Sequence, residues 1–336
     1  MHMADALLTP AVAGTMYACS TVTAGYSVRK IRQEDHEKKT AVMGVMGAFV
    51  FAAQMINFTI PGTGSSGHLC GGMLLSSILG PEAGFLTMTG VLLVQCLLFA
   101  DGGILALGAN IWNMAFYGCF IGGMIFWRHM TNKKMSKKRI VAASMAGSVL
   151  ALQMGALSVT LETLASGVSE LPFTVFLAAM QPVHLVIGCV EGAVTAVVLV
   201  FIYEVRPELL WNYKKSDETK NRLSYKQTIA VFIAATAVTA GLFSLMASAY
   251  PDGLEWSMEK VAGTTKLQAR GSVYTLAEKI QSFTSLLPDY AWKNSESATG
   301  TMFSGIFGGI VVIAVCTAIC LIIKLFRKKA GEQKDE

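Results

Sequence analysis

The first two residues hold three nitrogens that can bind one metal ion: the α-amine of Met1, the backbone nitrogen of His2 and a ring nitrogen of His2. Amine and backbone nitrogen close a five-membered chelate ring, and backbone nitrogen and imidazole close a six-membered one. A backbone nitrogen binds only after losing its proton, which late first-row divalent ions drive best. The product is planar with one corner open, and square-planar nitrogen sites suit Ni²⁺ or Cu²⁺. A fourth nitrogen is on offer at His68, behind the run Pro61-Gly62-Thr63-Gly64-Ser65-Ser66-Gly67. Glycines there let the backbone approach a ligand closely, and the imidazole of His68 can face the open corner. Taken alone, each histidine reads as ordinary, one at a chain end and one beside a connector. Topology is what brings them together.

The chain has 336 residues, 53% hydrophobic and 15% charged, with mean hydropathy +0.51. A soluble domain carries roughly 25% charged residues, so a multispanning all-α membrane protein is expected. Apolar runs of about 20 residues cross a bilayer as helices. Nine spans are read, at about 6–28, 41–58, 69–79, 85–99, 104–127, 140–164, 172–203, 228–250 and 302–326. The third is short for a full crossing and ends at Gly80-Pro81. The first seven form a bundle over 1–206, followed by a linker at 207–225. A two-helix unit covers 226–330 and carries a polar segment, 251–300, between its helices. The first basic residue is Arg29, so no cleavable signal is expected, and the bulky His2 is expected to leave Met1 in place.

Basic residues orient the spans. Lys and Arg number five in 29–39, six in 128–139, six in 206–226 and five from Lys324 on, which is 22 of 27. The other five all lie in the 251–300 segment. Positive residues favour the cytoplasm, so the carboxy terminus is expected inside and the amino terminus outside. That places His2, His68 and Asp101 on one outer face of a multi-pass cell-membrane protein.

The remaining candidates are weaker. His36 and His129 sit in basic loops and are expected to be solvated. His184 lies within the seventh span with Glu191 two turns on along the same face. Ionisable groups inside a membrane default to a functional reading, so His184 either supports a ligand ring from behind or bonds two helices together. Asp5 and Asp101 are further candidates for supporting the ligands. The seven cysteines form no CxxC pair and are expected to be small buried hydrophobes.

Several motifs, in order, carry a resemblance. Met1-His2 with Asp5, Phe51-Ala52-Ala53-Gln54-Met55-Ile56-Asn57-Phe58 and Gly67-His68-Leu69 are three of them. Leu79-Gly80-Pro81, Phe99-Ala100-Asp101-Gly102-Gly103 and Ala106-Leu107-Gly108-Ala109-Asn110 follow. Together they resemble the CbiM or NikM substrate-capture component of energy-coupling-factor nickel and cobalt transporters. Pro251-Asp252-Gly253-Leu254-Glu255-Trp256 resembles the signature of the small N component, so the whole resembles a CbiMN or NikMN fusion over roughly 1–206 and 226–330. The family often reads Met-His-Ile-Pro-Asp where this chain has Met3-Ala4, a departure that leaves the ligand atoms intact.

The resemblance implies capture of Ni²⁺ or Co²⁺ as cargo by Met1, His2 and His68. It implies a coupling transmembrane subunit of CbiQ or NikQ type and an ABC ATPase of CbiO or NikO type as separate chains. No GxxxxGK[ST] occurs, in keeping with an ATPase supplied elsewhere. It implies a lipid-embedded subunit with no nucleic-acid partner. A membrane metalloenzyme on the same nitrogens is opposed by the lack of HExxH or a nucleophile–base pair, and a metal sensor by the lack of a soluble signalling domain. The 251–300 segment is expected to shape, cover or load the metal site, or to stabilise the complex.

Overall fold

A computed structural model describes residues 1–31, 37–214, 222–293 and 298–332. His36 and Lys215 lie outside the described residues. The fold is all-α apart from one small hairpin. Five described helices are long and apolar enough to cross a membrane, and the protein is a multi-pass integral membrane protein. They are α4 (Pro81–Phe99), α7 (Lys137–Ala165), α8 (Phe173–Val205), α9 (Tyr225–Gly241, extended by a 3₁₀ turn, Phe243–Met246) and α12 (Ala298–Glu332). Large apolar side chains such as Val175, Leu185 and Val197 on α8, and Ile306, Ile310 and Leu321 on α12, face outward. That is the pattern of helices whose solvent is lipid.

Other helices fill the bundle: α1 (Pro10–Ile31), α2 (Glu37–Gln54) and α3 (Gly72–Leu79). Helix α3 has only eight residues and stops at Gly80, whose φ of +85° breaks the chain, and Pro81 then opens α4. Helix α5 (Leu107–Asn110) runs into a π-helical stretch (Ile111–Trp127) and α6 (Arg128–Thr131). A Cβ added at Gly72 would stand 2.8 Å from the Gly118 Cα, so these two glycines allow the backbones of α3 and the π stretch to touch. Gln153 and Gln181 each donate an amide N–H to the other's carbonyl, at 3.0 and 3.2 Å, and tie α7 to α8.

The Gly/Ser run is more ordered than a connector. Phe58–Ile60 (β1) pairs antiparallel with Ser65–Gly67 (β2), Phe58 opposite Gly67. The Ser66 N–H donates to the Pro251 carbonyl at 2.8 Å, and the Trp256 indole donates to the Thr63 carbonyl at 3.0 Å. The polar segment holds α10 (Gly253–Ala262), opened by a capping box between Asp252 and Glu255, and α11 (Ser272–Thr284). Of the seven cysteines, Cys70, Cys96, Cys119 and Cys316 are buried. Cys19 and Cys320 are half-buried and Cys189 is exposed, correcting the uniform burial expected: Cys189 lies on the outward face of α8. His129 is exposed, as expected, but it lies on α6 rather than in a loop, because the helical run continues past Trp127 to Thr131.

Candidate metal centre

The amino terminus is threaded into the protein rather than left loose. The Met3 N–H donates to Asn110 Oδ1 at 2.7 Å, and the Met3 carbonyl accepts from Asn110 Nδ2 at 3.2 Å and from the Gly103 N–H at 2.9 Å. Asp5 accepts from the Ala106 N–H at 3.0 Å. A side chain at position 103 would collide with the Asp5 carboxylate, so only glycine lets this strap lie flat. The side chains of Met1, Met3, Leu7 and Leu8 are buried. An apolar anchor and four hydrogen bonds fix where the chain begins.

His68 meets that terminus. Its Nδ1–H donates to the Leu69 carbonyl at 3.0 Å, which leaves Nε2 with its lone pair. The Met1 ammonium donates to that Nε2 at 2.8 Å. Glu191 fixes the loop from below by accepting the N–H groups of Cys70 and Gly71 at 2.6 and 3.1 Å. The His2 ring stacks on that of His68 with centroids 5.1 Å apart. His2 Nδ1 lies 3.1 Å from Asp101 Oδ1 and Nε2 lies 3.2 Å from Gln95 Oε1. Met1, His2, His68 and Asp101 are therefore brought together.

Asp5 and His184 sit differently from Asp101. Asp5 braces the backbone and touches neither histidine ring through a hydrogen bond. The Nδ1–H of His184 donates to the Met180 carbonyl at 2.8 Å, and its buried Nε2 has no hydrogen-bond partner. It lies beside Met1, His68 and Asp252 along a crevice too narrow to hold a water. Among the described residues, no three His, Cys, Asp or Glu side chains converge as a metal-binding group. A set built on a chain end and a backbone nitrogen is not made of such side chains.

Two residues of the C-terminal segment reach the same place and were not anticipated there. Asp252 Oδ2 accepts from the Met1 ammonium at 3.0 Å and stands 3.6 Å from His68 Nε2. The Tyr290 hydroxyl donates to Asp101 Oδ2 at 2.6 Å, its ring stacked on Phe99. The signal for Asp252 was its place in the Pro-Asp-Gly-Leu-Glu run; for Tyr290 there was none.

Electrostatics follow the burial. Burial alone would depress the Met1 amine, but the Asp252 carboxylate outweighs it and holds the amine above its usual value of 8.0. Burial would likewise raise Asp252, yet the Met1 ammonium holds it well below 3.8. Burial pulls His2 down to about 4 against the opposing pull of Asp101, so its ring is neutral at ordinary pH. Burial and Asp101 push Tyr290 well above 10, keeping its hydroxyl a donor.

Comparison with known proteins divides the chain where these contacts cross it. Residues 2–209 match the model of the cobalt uptake substrate-specific transmembrane region, and residues 226–325 match the PDGLE domain. A protein of Archaeoglobus fulgidus named as a fused nickel transport protein, NikMN, is 33% identical over 95% of this chain and 98% of its own. The cobalt transport protein CbiM of Geobacter sulfurreducens is 30% identical over 83% of this chain and 77% of its own. A crystal structure of a transition metal transporter superposes with a TM-score of 0.54 and 32% identity, covering 61% of this chain and 93% of that one. His2, His68 and Asp101 fall within the first matched region, and Asp252 and Tyr290 within the second. The chain thus belongs to the CbiM family of cobalt uptake substrate-specific transmembrane regions, with a PDGLE domain fused behind it.

Proposed function

We propose that this protein is the substrate-capture subunit of an ATP-driven, energy-coupling-factor importer of Ni²⁺ or Co²⁺. The ion is held by the Met1 amine, the backbone nitrogen and Nδ1 of His2, and Nε2 of His68. The observation that carries this reading is the 2.8 Å between the Met1 nitrogen and His68 Nε2. Four nitrogens at the corners of a square, about 2.0 Å from a central ion, stand about 2.8 Å from their neighbours. The His68 tautomer already presents a bare Nε2. Nδ1 is the nitrogen of His2 that a six-membered chelate needs, and Asp101 holds it in the metal-free chain. Loading exchanges Asp101 for the ion at Nδ1 and moves the ring's single proton to Nε2, where Gln95 Oε1 can accept it. A planar set with an ionised amide favours nickel.

The architecture is a seven-helix capture bundle over 1–206, a cytoplasmic linker at 207–225 and a two-helix unit over 226–330 whose 251–300 segment lies outside, nine crossings in all. The described helices that fall short of a full apolar span supply the remaining four. The chain has no ATPase motif, so a CbiQ- or NikQ-type coupling subunit and a CbiO- or NikO-type ATPase complete the importer.

The test is uptake of radioactive nickel by cells expressing the chain with those partners. One residue added ahead of Met1 converts the amine to an amide and creates a pattern that fills all four corners without His68. Uptake should be abolished by that extension and unaffected by a carboxy-terminal tag. Full transport by a chain with an uncleaved extension would overturn the capture geometry.

A further inference from the structure

Helix α11 (Ser272–Thr284) meets the protein through a narrow face made of Tyr274, Ala277 and Gln281. The Tyr274 hydroxyl donates to the Leu8 carbonyl at 2.8 Å, and Gln281 Nε2 donates to the Gly102 and Cys96 carbonyls at 2.7 and 3.1 Å. Ala277 between them is buried. The rest of the helix divides into two flanks. Val273, Leu276, Ile280 and Phe283 recur at helical spacing along one of them, and all four are exposed, Leu276 at 59% and Phe283 at 87%. Thr275, Glu278 and Ser282 occupy the other flank and are exposed as well, with Glu278 lining the open cavity beside His2 and His68. A helix with water on both free flanks turns its large apolar side chains to the protein. Here they point away from it.

The hydrogen bonds fix the height of α11. Cys96 belongs to the last turn of α4, and the Leu287 N–H, just past α11, donates to the Leu98 carbonyl of the same turn at 3.1 Å. These are carbonyls that a helix end leaves without intrahelical donors. The 19 residues of α4 rise about 28 Å, close to the thickness of a bilayer's hydrocarbon core, so this last turn lies at the membrane boundary. Leu8 stands two residues ahead of α1, so the start of α11 is pinned beside a second helix end. A helix tied near both ends to the ends of two bundle helices runs along the membrane surface. Leu93, about one turn below Leu98 on α4, is exposed, so the lipid-facing surface of the bundle continues up to α11. Lys279 is placed at the seam between the two flanks, where an interfacial helix carries the cations that meet lipid phosphates.

We infer that α11 is an interfacial helix that docks on lipid: Val273, Leu276, Ile280 and Phe283 enter the headgroup and upper acyl region of the bilayer, while Thr275, Glu278 and Ser282 face water. The same helix holds the Leu8 carbonyl, on the strap that begins the chain, and the Gly102 carbonyl, next to Asp101. The membrane surface is then the base on which the PDGLE domain braces both pieces of backbone. This placement follows from the multi-pass fold and does not depend on which ion is captured, or how.

The test uses the full-length chain in nanodiscs of phosphatidylcholine and phosphatidylglycerol. Cys19, Cys189 and Cys320, the cysteines that are not fully buried, are replaced by Ser. Single spin labels are then attached to Leu276→Cys, Ile280→Cys and Phe283→Cys on the apolar flank and to Thr275→Cys and Ser282→Cys on the polar one. Ile310→Cys, exposed on α12, and Gln268→Cys, exposed ahead of α11, serve as lipid and water standards. All these positions are at the surface, so each variant should keep the unfolding temperature of its parent. Collision of each label with oxygen, which concentrates in lipid, is compared with collision with chromium oxalate, which stays in water. The oxygen-to-chromium ratio at 276, 280 and 283 should exceed that at 275 and 282 by about threefold or more, between the two standards. A water-like ratio on the apolar flank would overturn the inference. So would weak collision with both reagents there, the mark of a flank covered by a second copy or another protein instead of lipid.

Discussion

The Met1 ammonium donates to both His68 and Asp252. To bind a metal it must give up a proton, and so must the His2 backbone nitrogen. About two protons should therefore leave per Ni²⁺ near neutral pH, read from the buffer dependence of the binding enthalpy. The sign follows from the shifts. The amine is raised above 8.0, so it is protonated throughout the neutral range and competes with the ion there. Affinity should fall as pH falls, by up to about a hundredfold per pH unit when two protons are displaced. An unperturbed histidine would add a further break near 6.5. With His2 lowered to about 4, its contribution should come only near that pH. A flat affinity from pH 5 to 8 would point to carboxylate ligands instead. Replacing His68 by Ala leaves the three-nitrogen chelate intact, so Ni²⁺ binding should weaken on the order of a hundredfold without vanishing, as titration calorimetry would show.

At the scale of elements, the placement of His68 depends on α8. Glu191 accepts two N–H groups at the start of α3 and fixes the loop that carries His68. Glu191→Ala would leave both buried donors bare, at a cost of about 2–4 kcal/mol. The expected result is a lower unfolding temperature in detergent together with weaker Ni²⁺ binding, partly restored by Glu191→Gln, which returns one acceptor. A variant with full stability and weakened binding would make Glu191 a ligand neighbour of another kind. The hairpin β1–β2 acts in the same way from the other side. It hands a backbone N–H to Pro251 and so brings Asp252 against the amine.

Across the whole molecule, the C-terminal domain touches both halves of the nitrogen set, through Asp252 at the amine and His68 and through Tyr290 by way of Asp101 at His2. The proposed orientation places all of this outside the cell. Cysteines introduced beside His68 or at Gln268 or Ser282 should react with a membrane-impermeant thiol reagent in intact cells, whereas one beside Lys134 should not. Labelling at Lys134 would invert the topology, because the 22 basic residues that set it share that side.

Composition and apolar run length were enough to place this chain in a membrane, because the cost of exposing backbone to lipid acts on each segment separately. The five long apolar helices and the stop at Gly80-Pro81 were legible for the same local reason, and the histidines at 2 and 68 could be singled out as candidates by residue type and position. The apolar runs overstated α9, which gives way to a 3₁₀ turn at Phe243, and the Gly/Ser run concealed a hairpin whose strands are only three residues each. The tertiary structure alone decided that Asp101 faces His2, that Glu191 serves the His68 loop rather than His184, and that Asp252 and Tyr290 close on the site. Asp252 is 251 positions from the amine it holds. Such a contact arises from how α10 packs on the hairpin and on α8, and packing between distant segments leaves no periodicity in either one.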